Sequence, residues 1–286
     1  MKTLFKSIFL FIFYKVLKID ALFLYKNQTF NNLIEKSNLI NESNLIDLVN
    51  SINYMVPIGC AKQLIRIGGD RDGAYLVPDD LESIEACFSP GTSYKKEFED
   101  HLADQYRIKS FLSDGSVDES KLDLLDNYQV FQKKWINDFD DENTMTLSRW
   151  INNSNHKNSQ NLLLQMDIEG SEYNCLLNTS DSCLKQFRIM VIEFHDLYRL
   201  KNQRFLNQIF IPIMQRILSQ FDCVHAHANN CLPFIKIANF DIPQVIELTF
   251  YRKSCNKGLK NIYIPHPEDI INVPKNPNIL LGKPWK

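Results

Sequence analysis

Short apolar runs alternate with stretches that carry apolar residues at helical spacing over most of the chain. A short apolar run bounded by turn residues is typical of a strand that is buried on both faces. We place such strands at 86–89, 108–112, 162–166 and 189–193, and helices at 94–106 and 205–221. Strands that alternate with helices indicate parallel βαβ units. The pattern therefore predicts an α/β domain with a mostly parallel sheet.

Weaker strand patterns lie on either side of this region. Residues 65–67 and 74–77 enclose a turn rich in Gly and Asp, which predicts a hairpin before the main sheet. Residues 245–251 alternate between apolar and polar positions after a strand-like segment at 223–226, and we expect them to add a last, antiparallel strand. The proline-rich tail from Pro265 predicts an extended wrap over the surface.

These patterns divide the chain into an N-terminal helical extension at 1–60, a main domain at 61–255 and a proline-rich tail at 256–286. The apolar stretch at 8–14 is shorter than the roughly 20 residues that a spanning helix needs. We expect it to form a helix that packs on the domain or on a partner. The alternative is peripheral contact with a membrane through residues 4–17. Both interpretations place the protein in the cytoplasm, the second one attached to a membrane.

Composition narrows the class of partner. The 286 residues are 44% hydrophobic and include 19 Phe, enough for one substantial core. A formal net charge of −2 without a block of Lys and Arg argues against nucleic acid as a partner, and favours a small-molecule or glycan acceptor. The seven cysteines are scattered and contain no Cys-x-x-Cys pair, so neither a disulfide framework nor a zinc knuckle is indicated. Nothing in the composition indicates an oligomeric state.

The segment Met166–Tyr173 is the most informative one in the chain. It follows the apolar run at 162–164 and places Asp167 and Glu169 where a buried strand meets a helix, with Gly170 to permit the turn. In open α/β sheets, ligands bind at this edge. Such a pair could bind a cation, orient a substrate or take up a proton. The alternative is a solvated strand end.

The next predicted strand ends in Glu193, Phe194 and His195, so two neighbouring strands deliver polar groups to one crevice. His195 is a candidate general base, because the pKa of an unperturbed imidazole, about 6.5, lies near the operating pH of most enzymes. We expect Glu193 to contact the substrate. A structural histidine is the alternative.

The turn after the first predicted strand contains Ser89 and Gly91, at a place where a nucleotide-like ligand meets backbone N–H groups. Asp114 ends the following strand, about 20 residues later, which is the distance at which an acidic residue binds the ribose hydroxyls in dinucleotide folds. The motif Gly-x-Gly-x-x-Gly is absent, so ordinary turns remain the alternative at both points.

Two imidazoles, His225 and His227, lie at strand spacing and face the same way, and Asn229 follows them. A metal site is conceivable. Because the sequence places no third ligand beside them, we assign no metal and expect these side chains to hydrogen-bond to the substrate. A structural role is the alternative.

Together these motifs resemble the FkbM-type methyltransferases, a branch of the S-adenosylmethionine-dependent enzymes. The matching segments are 146–151, 166–173 and 191–195, and 69–75, 88–91 and Asp114 resemble one bacterial subgroup. The likeness extends from about Ile65 to Lys253. The Asp that usually follows Thr-Leu in the family is Ser148 here, and the glycine-rich first loop is reduced to Gly91.

The resemblance implies a Rossmann-like class I methyltransferase fold, with a mostly parallel seven-stranded sheet and helices on both faces. It also implies S-adenosylmethionine as the cofactor and O-methylation, commonly of a sugar hydroxyl in a glycan, lipopolysaccharide or natural product. In this hypothesis Gly91 and its neighbours, including Ser89, bind the methionine part and Asp114 binds the ribose. Asp167 lies near the methyl group, and His195 or Glu169 is the base.

Two other hypotheses stay open at this point. Asp167-Ile168-Glu169 also resembles the acid-x-acid pair with which metal-dependent glycosyltransferases hold a nucleotide sugar. A manganese requirement would favour that hypothesis, and binding of S-adenosylmethionine without added metal would oppose it. The reduced glycine loop is also compatible with a non-catalytic glycan-binding or scaffold domain, because a fold alone does not define a function.

Overall fold

The computed structural model describes residues 42–258, 262–282 and 285. The chain divides into two compact units, 1–46 and 47–286, and the fold and site below belong to the second. The segment at 4–17, for which membrane contact is an alternative, lies outside the described residues, as does most of the predicted extension. The described part of the extension contains helix α1 (Glu42–Tyr54). No helix among the described residues is long and apolar enough to cross a membrane.

Strands β1 (Leu64–Ile67) and β2 (Tyr75–Pro78) form the predicted antiparallel hairpin. The main sheet follows and has seven strands. In chain order they are β3 (Ala86–Pro90), β4 (Ser110–Ser113), β5 (Gln129–Gln132), β8 (Leu162–Met166), β9 (Phe187–Phe194), β10 (Phe221–Ala228) and β13 (Ile246–Arg252). The small pairs β6 (Trp135–Asn137) with β7 (Thr144–Thr146), and β11 (Ile235–Ile237) with β12 (Phe240–Ile242), lie outside this sheet.

The strand order is β10-β13-β9-β8-β3-β4-β5. All pairs from β9 to β5 are parallel, whereas β13 is antiparallel to both of its neighbours. The predictions of a mostly parallel sheet and of a last, antiparallel strand are confirmed. The sequence pattern did not show that the last strand of the chain lies between two earlier ones.

The helices of the main unit connect these strands. They are α2 (Glu97–Tyr106), α3 (Leu147–Asn153), α4 (Glu172–Asn178), α5 (Asp181–Leu184), α6 (Gln203–Phe205) and α7 (Ile211–Gln220). The helix predicted at 205–221 is present, but a π-helical segment, Leu206–Phe210, precedes α7. The hydroxyl of Thr146 accepts a hydrogen bond from the N–H of Arg149 and so caps α3.

The core lies around the central strands. Every residue of β3, β8 and β9 is buried, as the apolar runs predicted. Phe88 of β3 stacks on Phe111 at 4.9 Å and meets Trp150 of α3 edge-on at 5.1 Å, which fixes α3 against the sheet. The parallel strands therefore form a buried, packed layer, with their carboxyl ends along one edge.

The tail contains neither helix nor strand at 262–282, in agreement with an extended wrap. It is less superficial than predicted, because the side chains of Asp269 and Asn272 are buried against β10. Asp269 Oδ1 accepts a hydrogen bond from Nε2 of His225 at 2.9 Å, and Asn272 Oδ1 lies 3.0 Å from Nε2 of His227. Polar side chains, rather than apolar ones, fix this part of the tail.

Candidate functional site

A cavity of about 510 Å³ opens where β3, β4 and β8 end. Gly91, Asp114 and Asp167 line it, and each follows one of these strands. Glu169 lies on the same wall, and Tyr75 of the hairpin contributes from the other side. The cavity therefore occupies the edge of the sheet at which open α/β proteins bind ligands.

Gly91 is required where it stands. Its φ is +87°, and a Cβ at this position would lie 1.5 Å from the carbonyl oxygen of Asp167. The N–H of Gly91 donates to the carbonyl of Ser113 at 2.8 Å, and the N–H of Asp167 donates to that of Pro90 at 3.2 Å. The three loops that form the cavity floor thus touch through their backbones, and only glycine permits the approach.

Asp114 joins two of these loops through its buried carboxylate. Oδ2 accepts the N–H of Ser93 at 3.0 Å, and Oδ1 accepts both the N–H and the hydroxyl of Ser116 at 2.8 and 2.7 Å. A carboxylate has about four acceptor positions, so this one still has capacity for a ligand donor. Its place on the cavity wall agrees with the ribose-binding prediction.

Trp135 forms an apolar wall beside Asp114. Its side chain is half-exposed, it lines the cavity with Ile136, and a Cβ on Gly115 would lie 2.3 Å from its indole ring. A flat apolar surface next to a carboxylate suits a planar heterocycle. Sequence reasoning missed Trp135 because no local pattern distinguishes an aromatic residue that lines a cavity from one that packs in the core.

Ser89 does not line the cavity but supports its wall. Its hydroxyl makes a short hydrogen bond with Glu99 and lies 2.5 Å from Oε1 of Gln165. One hydroxyl proton serves only one acceptor, so Glu99 has to donate if the amide oxygen accepts. Burial raises the pKa of Glu99 to about 7, which permits this protonated form. Both Glu99 and Gln165 reach the cavity.

The predicted catalytic residues meet around His195. Its Nε2 lies 3.5 Å from Oε2 of Glu169, 3.7 Å from Oδ1 of Asp167 and 3.9 Å from Oε1 of Glu193. Nδ1 lies 3.0 Å from Oε1 of Glu172, and because a carboxylate only accepts, this nitrogen carries the proton. The structure thus brings together four residues at the carboxyl ends of two different strands, β8 and β9.

Glu172 was not singled out by the sequence reasoning, although it lies within the Met166–Tyr173 segment. Its side chain is fully buried at the first turn of α4. Oε1 also accepts the N–H groups of Ile168 and Gly170, each at 3.1 Å. Glu172 therefore holds both the loop after β8 and the orientation of the imidazole.

Negative charge dominates this cluster. Burial raises the pKa of Glu193 well above its usual range, and the charges of Asp167 and Glu247 add to the effect. Burial also raises the pKa of Asp167, although His195 opposes it. For His195, burial favours the neutral form, but the hydrogen bond and charge of Glu172 outweigh it and raise the pKa. These carboxyl groups repel one another, so a positively charged ligand would favour their ionised forms.

The predicted substrate residues fall into two groups. Asn229 donates from Nδ2 to Oε1 of Glu193 at 2.8 Å, so both belong to the acidic cluster. His225 and His227 face the same way, as predicted, with their rings 6.5 Å apart. Their Nε2 atoms bond to the tail instead of facing the cavity. The structure places these two imidazoles in contact with the tail, and their role in substrate binding stays a prediction.

One set of side chains within the described ranges has the geometry to share a metal ion. It consists of Asp167, Glu193 and His195, which each offer an atom within 4.8 Å of the others. The sequence motif instead pairs Asp167 with Glu169 as groups that could bind a cation. The other two side chains of the set, Glu193 and His195, lie at the end of β9, which is distant from Asp167 in sequence.

The fold and the cavity define an α/β protein with a ligand site at the carboxyl edge of its sheet. The sequence profile described as "Methyltransferase FkbM domain" matches residues 66–222, more than half of the chain. The chain belongs to the FkbM methyltransferase family, which confirms the resemblance found from the motifs. No curated protein matches the chain.

The family assignment establishes the protein as a methyltransferase enzyme with a class I methyltransferase fold, in place of the glycosyltransferase and scaffold hypotheses. Methyltransferases of this kind generally use S-adenosylmethionine. The antiparallel β13 accounts for the mixed character of the sheet.

Proposed function

We propose that the protein transfers a methyl group from S-adenosylmethionine to a hydroxyl oxygen, and that the acceptor is a sugar hydroxyl of a glycan, lipopolysaccharide or natural product. One observation carries the proposal. A single cavity joins Gly91 and Asp114, which suit a nucleoside cofactor, to Asp167 and Glu169, which suit the reacting end of that cofactor.

The lining supports this cofactor in four ways. The remaining acceptor capacity of Asp114 suits one ribose hydroxyl, and the wall formed by Trp135 and Ile136 beside it suits adenine. Gly91 lines the cavity without a side chain, so no side chain at this position obstructs the methionine part. The acidic groups, Asp167 and Glu169, favour a sulfonium through their negative charge.

Residues of the chain then have two tasks. S-adenosylmethionine supplies a methyl group on a positive sulfonium, which the acceptor oxygen displaces in line. The cavity walls hold the acceptor oxygen, the methyl carbon and the sulfur in this line. Glu169 accepts the hydroxyl proton, because it reaches the space beside Asp167. His195 can take that role only in its neutral form, which its raised pKa disfavours.

The test is calorimetric titration of the purified protein with S-adenosylmethionine and S-adenosylhomocysteine, on wild type and on Asp114→Ala. A hydrogen bond to a charged group contributes about 1.5–3 kcal/mol, so the dissociation constant should rise about 10- to 100-fold in the variant. Asp126→Ala, at an exposed aspartate outside the cavity lining, is the matched control and should bind as wild type does.

Circular dichroism of each variant separates loss of binding from loss of fold. The ribose assignment is wrong if folded Asp114→Ala binds normally. The proposed cofactor is wrong if folded wild-type protein binds neither compound. A panel of sugar acceptors with labelled cofactor then tests the acceptor class.

A further inference from the structure

We propose that Asp167, Glu193 and His195 bind a divalent cation that holds the acceptor hydroxyl, with His195 as a ligand of the cation. The inference rests on the proposed function, because it assumes that the acceptor enters the cavity beside Asp167.

The distances within the cluster suit a shared ion. Nε2 of His195 lies 3.7 Å from Asp167 Oδ1 and 3.9 Å from Glu193 Oε1. These separations exceed hydrogen-bond length, about 3.2 Å at most. Two ligand atoms that each lie about 2.1 Å from one ion are separated by roughly 3–4 Å, depending on the angle between them. The three side chains are therefore spaced as ligands rather than as hydrogen-bond partners.

One ligand atom has no partner at all among the described residues. Oδ1 of Asp167 is fully buried and accepts no hydrogen bond. It is the same atom that lies opposite Nε2 of His195. A buried carboxylate oxygen without a donor is strongly unfavourable. A cation at this point would satisfy it.

Hydrogen bonds with neighbouring residues fix the orientation of the proposed ligands. Nδ1–H of His195 donates to Glu172, which directs the lone pair of Nε2 toward Asp167 and Glu193. Metal-binding imidazoles almost always donate their other N–H in this way. Glu193 is fixed in turn by Asn229, and by the hydroxyl of Tyr75 at 3.2 Å.

The charge balance also favours a cation. The largest charge effects on Glu193 come from Asp167, Glu247 and Asp72, which are all acidic, and they outweigh His195 at 3.9 Å. Within the part of the chain that the structure describes, no Lys or Arg forms an ion pair with Asp167 or Glu193. A bound cation would displace the protons that the raised pKa values of Glu193 and His195 favour. Two carboxylates and one neutral imidazole would then match the charge of one divalent ion.

This ligand set suits Mn²⁺ or Mg²⁺, because carboxylates favour hard divalent ions and Mn²⁺ also accepts an imidazole. Three protein ligands leave positions for acceptor oxygens, and a bound cation lowers the pKa of a coordinated hydroxyl. Glu169, whose side chain is 86% exposed, is then the group that takes the proton. The oxygen lone pair forms the bond to the methyl carbon, and the electrons of the broken carbon–sulfur bond stay on sulfur.

The experiment is calorimetric titration of metal-free full-length protein with Mn²⁺ alone, without cofactor. Wild type should bind one equivalent, and Glu193→Gln and His195→Ala should each weaken binding at least about 10-fold, since even supporting groups of metal sites have effects of that size. Glu169→Gln should keep the site. Glu142→Gln, at an exposed glutamate, is the control for loss of one negative charge.

Wild type that binds no Mn²⁺, or folded Glu193→Gln that binds it as tightly as wild type, would overturn the inference. Asp167→Asn is the substitute if Glu193→Gln does not fold. Binding of S-adenosylmethionine is measured on the same metal-free sample. If the cofactor binds and Mn²⁺ does not, the inferred cation site is rejected and the proposed function stands. If Mn²⁺ binds and the cofactor does not, the proposed function is rejected. If both bind, methyl transfer should stop on chelation and return with Mn²⁺, while cofactor binding survives.

Discussion

At Gly91 the geometry of the cavity requires a residue without a side chain. Its neighbours leave no room for a Cβ, because the backbone of the loop after β8 lies against it. Gly258 has the same φ, +87°, but a Cβ there would meet nothing within 4 Å. Alanine substitutions at the two glycines therefore distinguish the effect of backbone strain on stability from the effect of a steric clash.

We expect Gly258→Ala to lower the free energy of unfolding by about 1–2 kcal/mol, the cost of a left-handed conformation for a residue with a Cβ. Gly91→Ala should lose at least about 3 kcal/mol, because the loop after β8 has to move as well. Urea denaturation of both variants measures the difference. Equal losses would show that the contact between the loops contributes nothing.

Sequence reasoning identified the site residues that lie at the ends of predicted strands. It missed the residues whose position depends on contacts between loops. Asp114, Asp167 and His195 follow apolar runs, so their common edge could be predicted from topology rules. Glu172 and Trp135 could not be predicted in the same way. The role of Glu172 arises from its bonds to two loop N–H groups and an imidazole that follows another strand.

Among the elements, strands with two buried faces were predictable, whereas the edge strand β5 was not. The runs at 86–89, 162–166 and 189–193 agree with β3, β8 and β9 within a few residues. The edge strand β5 alternates between buried and exposed residues and is short, so its apolar signal is weak. The position of β13 depends on pairing between distant segments, which local patterns do not encode.

The tail adds an element without regular structure that polar bonds hold in place. His227 lies between Asp269, Asn272 and Glu247. Burial opposes its charged form, but the hydrogen bond to Asp269 and the charge of Glu247 outweigh burial and raise its pKa to about 9. Burial likewise opposes ionisation of Asp269, but hydrogen bonds and charge from His225 and His227 lower its pKa.

A pH dependence of stability follows from these two shifts. A raised histidine pKa stabilises the fold fully below about 6.5, and the contribution is lost as the pH rises through about 9. A lowered aspartate pKa stabilises above about 3.9, and the contribution is lost as the pH falls. We therefore expect the contact to be strongest between about pH 4 and 6.5.

Thermal unfolding between pH 6.5 and 9 measures this effect. Asp269→Asn should flatten the decline in melting temperature, because it removes the partner of His227. Asp241→Asn removes the same charge from an exposed ion pair with Lys236 and should leave the decline unchanged. A decline that persists unaltered in Asp269→Asn would assign the pH dependence to other groups.

At the scale of the whole molecule, the cavity joins segments that are far apart in the chain. The hairpin, the loops after β3, β4 and β8, and the segment at 134–137 all contribute to its wall. A ligand that touches all of them stabilises them together. Binding of the cofactor should therefore raise the stability of the complete fold rather than that of one loop.

A ligand at 100 times its dissociation constant adds about 2.7 kcal/mol to the free energy of unfolding. For a domain of this size each kcal/mol shifts the melting temperature by about 2–4 °C, so we expect a rise of about 5–10 °C with S-adenosylmethionine. Differential scanning fluorimetry measures it. Asp114→Ala at the same ligand concentration should show a clearly smaller rise, and an unchanged rise would contradict the role of Asp114.

The insertion of β13 between β9 and β10 has a consequence during protein synthesis. Until residue 252 has left the ribosome, β9 and β10 lack the strand that separates them. Both then present long apolar edges with unpaired N–H and C=O groups, the kind of surface on which nascent chains associate. Because every residue of β9 is buried in the finished sheet, synthesis arrested before β13 should produce an aggregating fragment and not a smaller domain.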